Sequence, residues 1–165
     1  MVTSERPWCK SVSPEHFSKP LDKIITIFPG EPKTYVAVSP AAVLVHTHYV
    51  DGRTVLCTAD QGTCRYDHRY TSRRAQVWLA VQAMYGRQGQ FLPLTEAAVR
   101  DCPRLFEPGF ILRGRRIDVG RAGKSMQSRV RLTIGDLVRV EAELLPAPDV
   151  AAFLERLWNV KGGRQ

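Results

Sequence analysis

Long apolar runs are missing from this sequence. No stretch approaches the roughly 20 apolar residues that a membrane-spanning helix requires. The opening residues "MVTSERPWCK" also lack the apolar centre of a secretory signal. Both absences point to a cytoplasmic protein, where thiols stay reduced. Low-complexity tracts are absent as well. With 165 residues, 44% of them hydrophobic, the chain is long enough for one folded domain with its own core. Catalytic signatures are equally scarce. A zinc deaminase needs H-x-E followed by P-C-x-x-C, and neither occurs. No glutamate lies between Glu31 and Glu96, so a catalytic metal in that stretch has no glutamate general base. "GRAGKS", with Gly120, Gly123, Lys124 and Ser125, departs from the spacing of G-x-x-x-x-G-K-[ST], and its setting reads as a hairpin rather than strand to helix. The chain is therefore expected not to be an enzyme.

Acidic charge is thin in two places. Arg113 to Arg131 holds seven basic residues and one acidic one, and Cys64 to Arg74 holds four and one. These segments carry +6 and +3 of the net +8, which leaves the rest of the chain at −1. Uneven basic charge points to an anionic partner, and nucleic acid is favoured over a membrane because no basic amphipathic helix is present.

Residues 1–33 read as an irregular arm, broken by Pro7, Pro14, Pro20, Pro29 and Pro32, with "KIITIF" as a short strand. "TYVAVSPAAVLVHTHYV" predicts one or two strands split near Pro40, and Asp51-Gly52 a hairpin turn into "TVLC". "AQVWLAVQAMY" alternates with period two and predicts a strand, a helix being the rival reading. "GRQG" then turns into "QFLPLT", and "TEAAVRDC" predicts a short helix capped by Thr95. In "SRVRLTI", Val130, Leu132 and Ile134 alternate with Arg129, Arg131 and Thr133, as a half-buried strand requires. "LVRVEAEL" predicts a last strand. Asp149 starts a helix whose Val150, Phe153, Leu154, Leu157 and Trp158 share one face, with Gly162 marking its end. The expected fold is mainly β: a small OB-like barrel over 34–145, an inserted zinc module at about 46–70, and a C-terminal helix within 146–165 packed on the barrel.

Cysteine and histidine number only four each, yet "HTHYVDGRTVLCTADQGTCRYDH", residues 46–68, gathers three histidines and two cysteines. Tetrahedral zinc takes four ligands, mostly Cys and His. On a strand His46 and His48 share a face, and the turn brings Cys57 back towards His48. The ligand set expected is His48, Cys57, Cys64 and His68, with Asp67 as the alternative fourth ligand. The six residues between Cys57 and Cys64 exceed the usual spacing of two to four. Buried core thiols or a disulfide remain the other readings of the pair, and Cys9 and Cys102 have no local partner.

The order His48, Cys57, Cys64, then Asp67 or His68 resembles the zinc-containing single-stranded-DNA-binding proteins of tailed phages. The match spans about residues 46–68, with strands through about 134. That family carries a His-Cys-Cys-Cys module in an OB-fold core, whereas the last ligand here is not cysteine. The resemblance implies a structural Zn2+, a basic cleft and aromatics that stack on bases. The function expected is sequence-tolerant binding of single-stranded nucleic acid, DNA favoured over RNA, with replication or repair proteins left open as further partners. Arg113, Arg115, Arg116, Arg121, Lys124, Arg129 and Arg131 form the expected groove, and Arg73 and Arg74 extend it from the zinc module. Trp78 shares a strand face with Gln76 and Gln82 and is the first choice for stacking, with Tyr66 and Tyr70 next. The alternatives are a basic adaptor for an acidic protein and a metal-dependent nuclease.

Overall fold

The computed structural model describes residues 23–57, 64, 66, 73–86 and 88–158. Seven strands and two α-helices follow in order: β1 Lys33–Ala37, β2 Val43–Val50, β3 Arg53–Leu56, β4 Arg74–Ala83, β5 Gly89–Thr95, α1 Glu96–Arg100, β6 Arg115–Arg121, β7 Val130–Leu137 and α2 Val150–Leu157. Short 3-10 turns lie at Pro103–Phe106 and Glu141–Glu143.

β4 is the spine, and "AQVWLAVQA" is indeed a strand. β1 and β2 run one after the other along the same edge of it. Ala37 faces Val81, and Val43 faces Trp78. Between them the chain steps outwards at Ser39-Pro40, where proline has no N–H for a ladder. The Ser39 hydroxyl caps that gap by accepting from the Ala80 N–H at 3.1 Å. β5 takes the other edge of β4, β6 pairs with β1, β7 with β6 and β3 with β2, all antiparallel. The β2–β3 turn is Asp51-Gly52 with both φ values positive, 50° and 79°, the geometry that lets a two-residue hairpin close.

The fold is mainly β with a C-terminal helix, as expected, but the sheet is not a closed barrel. The free side of β5 pairs with the end of the N-terminal arm. Ile25 N–H donates to the Phe91 carbonyl and Phe91 N–H to the Lys23 carbonyl, each at 2.8 Å. The Ile27 carbonyl in turn accepts from Arg121 Nε at 2.6 Å. The arm thus occupies the place where another strand would close the sheet, and Ile25 is buried in the core.

Each face of the sheet has its own apolar layer. The inner layer sets Val77, Leu79, Val81, Leu92, Leu94, Ile117, Val119, Val130, Leu132 and Ile134 against Ala98 and Val99 of α1, together with Cys102, Leu105 and Leu112. Thr95 caps α1 by accepting from Ala98 N–H, and Asp149 caps α2 by accepting from Ala152 N–H. The outer layer is smaller: Val38, Trp78, Ala80 and Phe91 beneath Val150, Phe153 and Leu154 of α2. α2 ends at Leu157, and Gly162 lies outside the described residues. "LVRVEAEL" does not form a last strand. β7 stops at Leu137, and the chain crosses the outer face through a 3-10 turn, leaving Leu137 and Val140 more than half exposed.

Candidate functional site

His48, Cys57 and Cys64 come together. Their ligand atoms all lie within 4.8 Å of one another, and all three residues are buried. The hairpin explains the first two. His48 faces Val55 across the β2–β3 ladder, so the two side chains share a face, and Cys57, two residues beyond Val55, returns to it. The Cys57 N–H donates to the His46 carbonyl at 2.8 Å, which fixes that return. Cys64 then brings its Sγ to 3.5 Å from His48 Nε2. A nitrogen and a sulfur bound tetrahedrally to one zinc, at about 2.1 and 2.3 Å, would stand about 3.6 Å apart. This spacing fits the group for a metal ion. Cys57 and Cys64 are thiols rather than a disulfide. His46 shares the strand face of His48 but stands outside the group, and the Tyr66 ring lies 6.2 Å from that of His48. Asp67, His68 and Tyr70 lie outside the described residues, as does Cys9.

The expected groove arginines separate into three sets. Arg113, Arg115 and Arg121 are internal ties. Arg113 donates to both carboxylate oxygens of Glu141 and to the carbonyls of Val38 and Leu145, with only 13% of its side chain exposed. That guanidinium holds the Glu141 carboxyl below its ordinary pKa. Arg115 binds the carbonyl of Ile111 at 2.7 Å and stands 4.7 Å over the Phe110 ring. Arg121 binds the carbonyls of Ile27 and Ser128. All three guanidinium groups, expected in the groove, are engaged with backbone carbonyls of the fold.

The second set is exposed. Arg116 and Arg131 project from the outer face of β6 and β7, and Lys124 from the loop between them. Arg116 donates from Nε to Asp118. Arg129, although exposed, turns back to α1, binding the Ala97 carbonyl and the Asp101 carboxylate. The third set, Arg73 and Arg74, is exposed at the far end of β4. Arg116 faces Val36, which faces Gln82, so Arg74 is eight residues away along β4, about 26 Å of strand. Among the described residues the two basic surfaces lie apart, at opposite ends of β4.

Trp78, the first choice for stacking, lies under the C-terminal helix. It is only 4% exposed and packs against Phe153 and Trp158 of the C-terminal segment, at 6.1 and 6.0 Å between ring centroids. Its indole N–H donates to Gln76 Oε1 at 3.1 Å. The aromatic that the sequence reading passed over is Tyr85. It sits in the β4–β5 turn with 87% exposure, the highest of the large apolar side chains among the described residues. An aromatic directly before the glycine-bounded stretch 86–89 was the available signal.

Burial raises the Cys102 thiol above its ordinary pKa, against a smaller lowering by nearby Arg104. Among the described residues no helix is long and apolar enough to cross a membrane. No protein-family model, curated protein or solved structure matches the chain.

Proposed function

We propose that this chain is a non-catalytic protein that binds single-stranded nucleic acid, DNA before RNA, across the outer face of β6 and β7, and that a structural Zn2+ fastens its β2–β3 hairpin. The carrying observation is a sector of the outer face, at β6 and β7, that no other described element covers. α2 covers Trp78 and Phe91, and the 139–145 segment covers Gln82. Beyond them Arg116 and Arg131 are exposed beside Gly120, Thr133 and Gly135. Pro32 lies over Gly120 and the Arg116 stem over Gly135, so the exposed guanidinium groups, rather than the glycines, would meet a phosphate backbone and attract it. Neither helix is suited to a duplex groove, since α1 has five residues and α2 spends its apolar face on the sheet.

In the hairpin, His48, Cys57 and Cys64 would hold the zinc with a fourth donor, His68 or Asp67 in the sequence reading. Two thiolates and an imidazole suit zinc, and its bonds would tie β2 to the segment before β4. Such a site needs reduced thiols, which supports a cytoplasmic setting.

A second reading has its own observation. Phe110 lies between Arg104 and Arg115, at 5.4 and 4.7 Å, with Phe106 and Ile111 exposed nearby, a surface that suits an acidic protein. Titration of labelled single-stranded and duplex oligonucleotides, with polyglutamate as competitor, separates the readings. Binding of the single strand, weakened by salt and indifferent to polyglutamate, supports the proposal, and the strand should remain uncut with magnesium or manganese. Binding confined to the acidic polymer would overturn it.

A further inference from the structure

We infer that the corner where the β4–β5 turn meets β6 is a nucleotide pocket, in which one unpaired base stacks on the Tyr85 ring and its phosphate meets the Arg116 guanidinium. This rests on the single-strand reading above and gives it a site. A cleft of about 460 Å³ opens there, lined by Thr34, Ala83, Met84, Tyr85 and Arg116. That volume falls in the range of about 300–1,000 Å³ typical of small-ligand sites.

Its two recognition groups are held in different ways. Asp118 accepts from Arg116 Nε at 3.0 Å and also from the Thr34 hydroxyl, which fixes the arginine stem. Its two terminal nitrogens have no partner among the described residues and stay available to an anion. The Tyr85 backbone is anchored on both sides. Gln82, itself buried, donates from Nε2 to the Gly86 carbonyl at 3.3 Å, and Arg139 donates to the Met84 carbonyl at 2.7 Å. Gly86 carries φ +137°, a conformation that suits glycine, so the turn keeps its shape. The ring is therefore presented on a braced turn, and among the described residues it has no packing role that would account for its position. A base supplies the flat apolar partner that an exposed ring lacks, whatever its sequence.

Charge sets what the pocket contributes. Arg116 is offset by Asp118, so stacking rather than phosphate attraction carries most of the affinity there. Along the strands, Arg131 faces Gly120, four residues from Arg116, so a bound backbone would extend from the pocket over about 13 Å to reach it.

The test compares parent, Tyr85→Ala and Tyr85→Phe by fluorescence anisotropy on a labelled single-stranded oligonucleotide and on an abasic strand of equal length. Tyr85→Ala should weaken binding of the intact strand roughly 5- to 150-fold, the range for losing one stacked base. Tyr85→Phe should bind nearly as the parent does, and on the abasic strand all three should bind alike. A Tyr85→Ala variant that binds the intact strand as tightly as the parent overturns the pocket while leaving the single-strand reading in place. Equal weakening on both strands also overturns it, since stacking needs a base. A parent that binds neither strand removes the functional reading and the pocket with it.

Discussion

Arg113 stands between the Val38 carbonyl, the Leu145 carbonyl and the Glu141 carboxylate, and so clamps the segment after β7 onto the sheet. Arg113→Ala should lower the urea midpoint at unchanged m-value, with a cost of about 1–3 kcal/mol for each buried carbonyl left unpaired. The pH dependence follows from Glu141, whose folded pKa is depressed by the same arginine. Its contribution is present above the ordinary glutamate pKa and is lost as pH falls through the depressed value. The stability gap between parent and Glu141→Gln should therefore shrink towards zero on acidification. The effect is modest because the carboxylate is exposed and screened by salt. Trp78 belongs to the same scale. Gln76 and Gln82 seemed to mark its face as solvent-facing, yet Gln76 accepts the indole N–H, and Gln82 binds Gly86, Glu143 and Leu145. A polar residue on a strand says only that a hydrogen-bond partner is needed; for Gln82 two of them, Glu143 and Leu145, arrive from 61 and 63 residues away. Trp78→Ala should cost about 3–5 kcal/mol of stability, measured by denaturant unfolding, and leave the salt dependence of binding unchanged in protein that remains folded.

Elements with strong local signals were legible. Period-two alternation marks β4 and β7, Asp51-Gly52 marks the first hairpin, and Thr95 and Asp149 mark the helix starts. "LVRVEAEL" has strand-forming residues but finds no partner strand, because Arg113 draws its second half across the outer face. That the sheet stays open was likewise not legible, since it turns on the N-terminal arm meeting β5 at Phe91. The metal group was partly legible. Strand parity puts His48 and Cys57 on one face, whereas the approach of Cys64 depends on the path from β3 to β4. If zinc fastens this element, Cys57→Ser or Cys64→Ser should release it, and amide exchange should speed up in β2 and β3 while β6 and β7 keep their protection. Chelation of the parent should expose the Cys57 and Cys64 thiols to alkylation. Cys102 should stay slow at neutral pH, because burial raises its pKa and leaves little thiolate.

Across the whole molecule, a concentration of charge along the sequence becomes two surfaces at opposite ends of β4, and several of its arginines serve the fold. The +6 of Arg113 to Arg131 was legible; which guanidinium groups face solvent was not, since that depends on the carbonyls brought near each one by tertiary contacts. Among the described residues the side chains of Lys124 and Arg131 are exposed and form no ion pair or hydrogen bond, so their truncation should leave the architecture intact. The salt dependence of single-strand binding is the most direct measurement of the central claim. Three or four phosphate contacts on the β6–β7 face should give log affinity against log salt a slope of about −2 to −3, and Lys124→Ala with Arg131→Ala should flatten it by about 1.4. A double variant with the parent's affinity and slope at every salt concentration would contradict the account and place the nucleic acid, if bound at all, on some other surface.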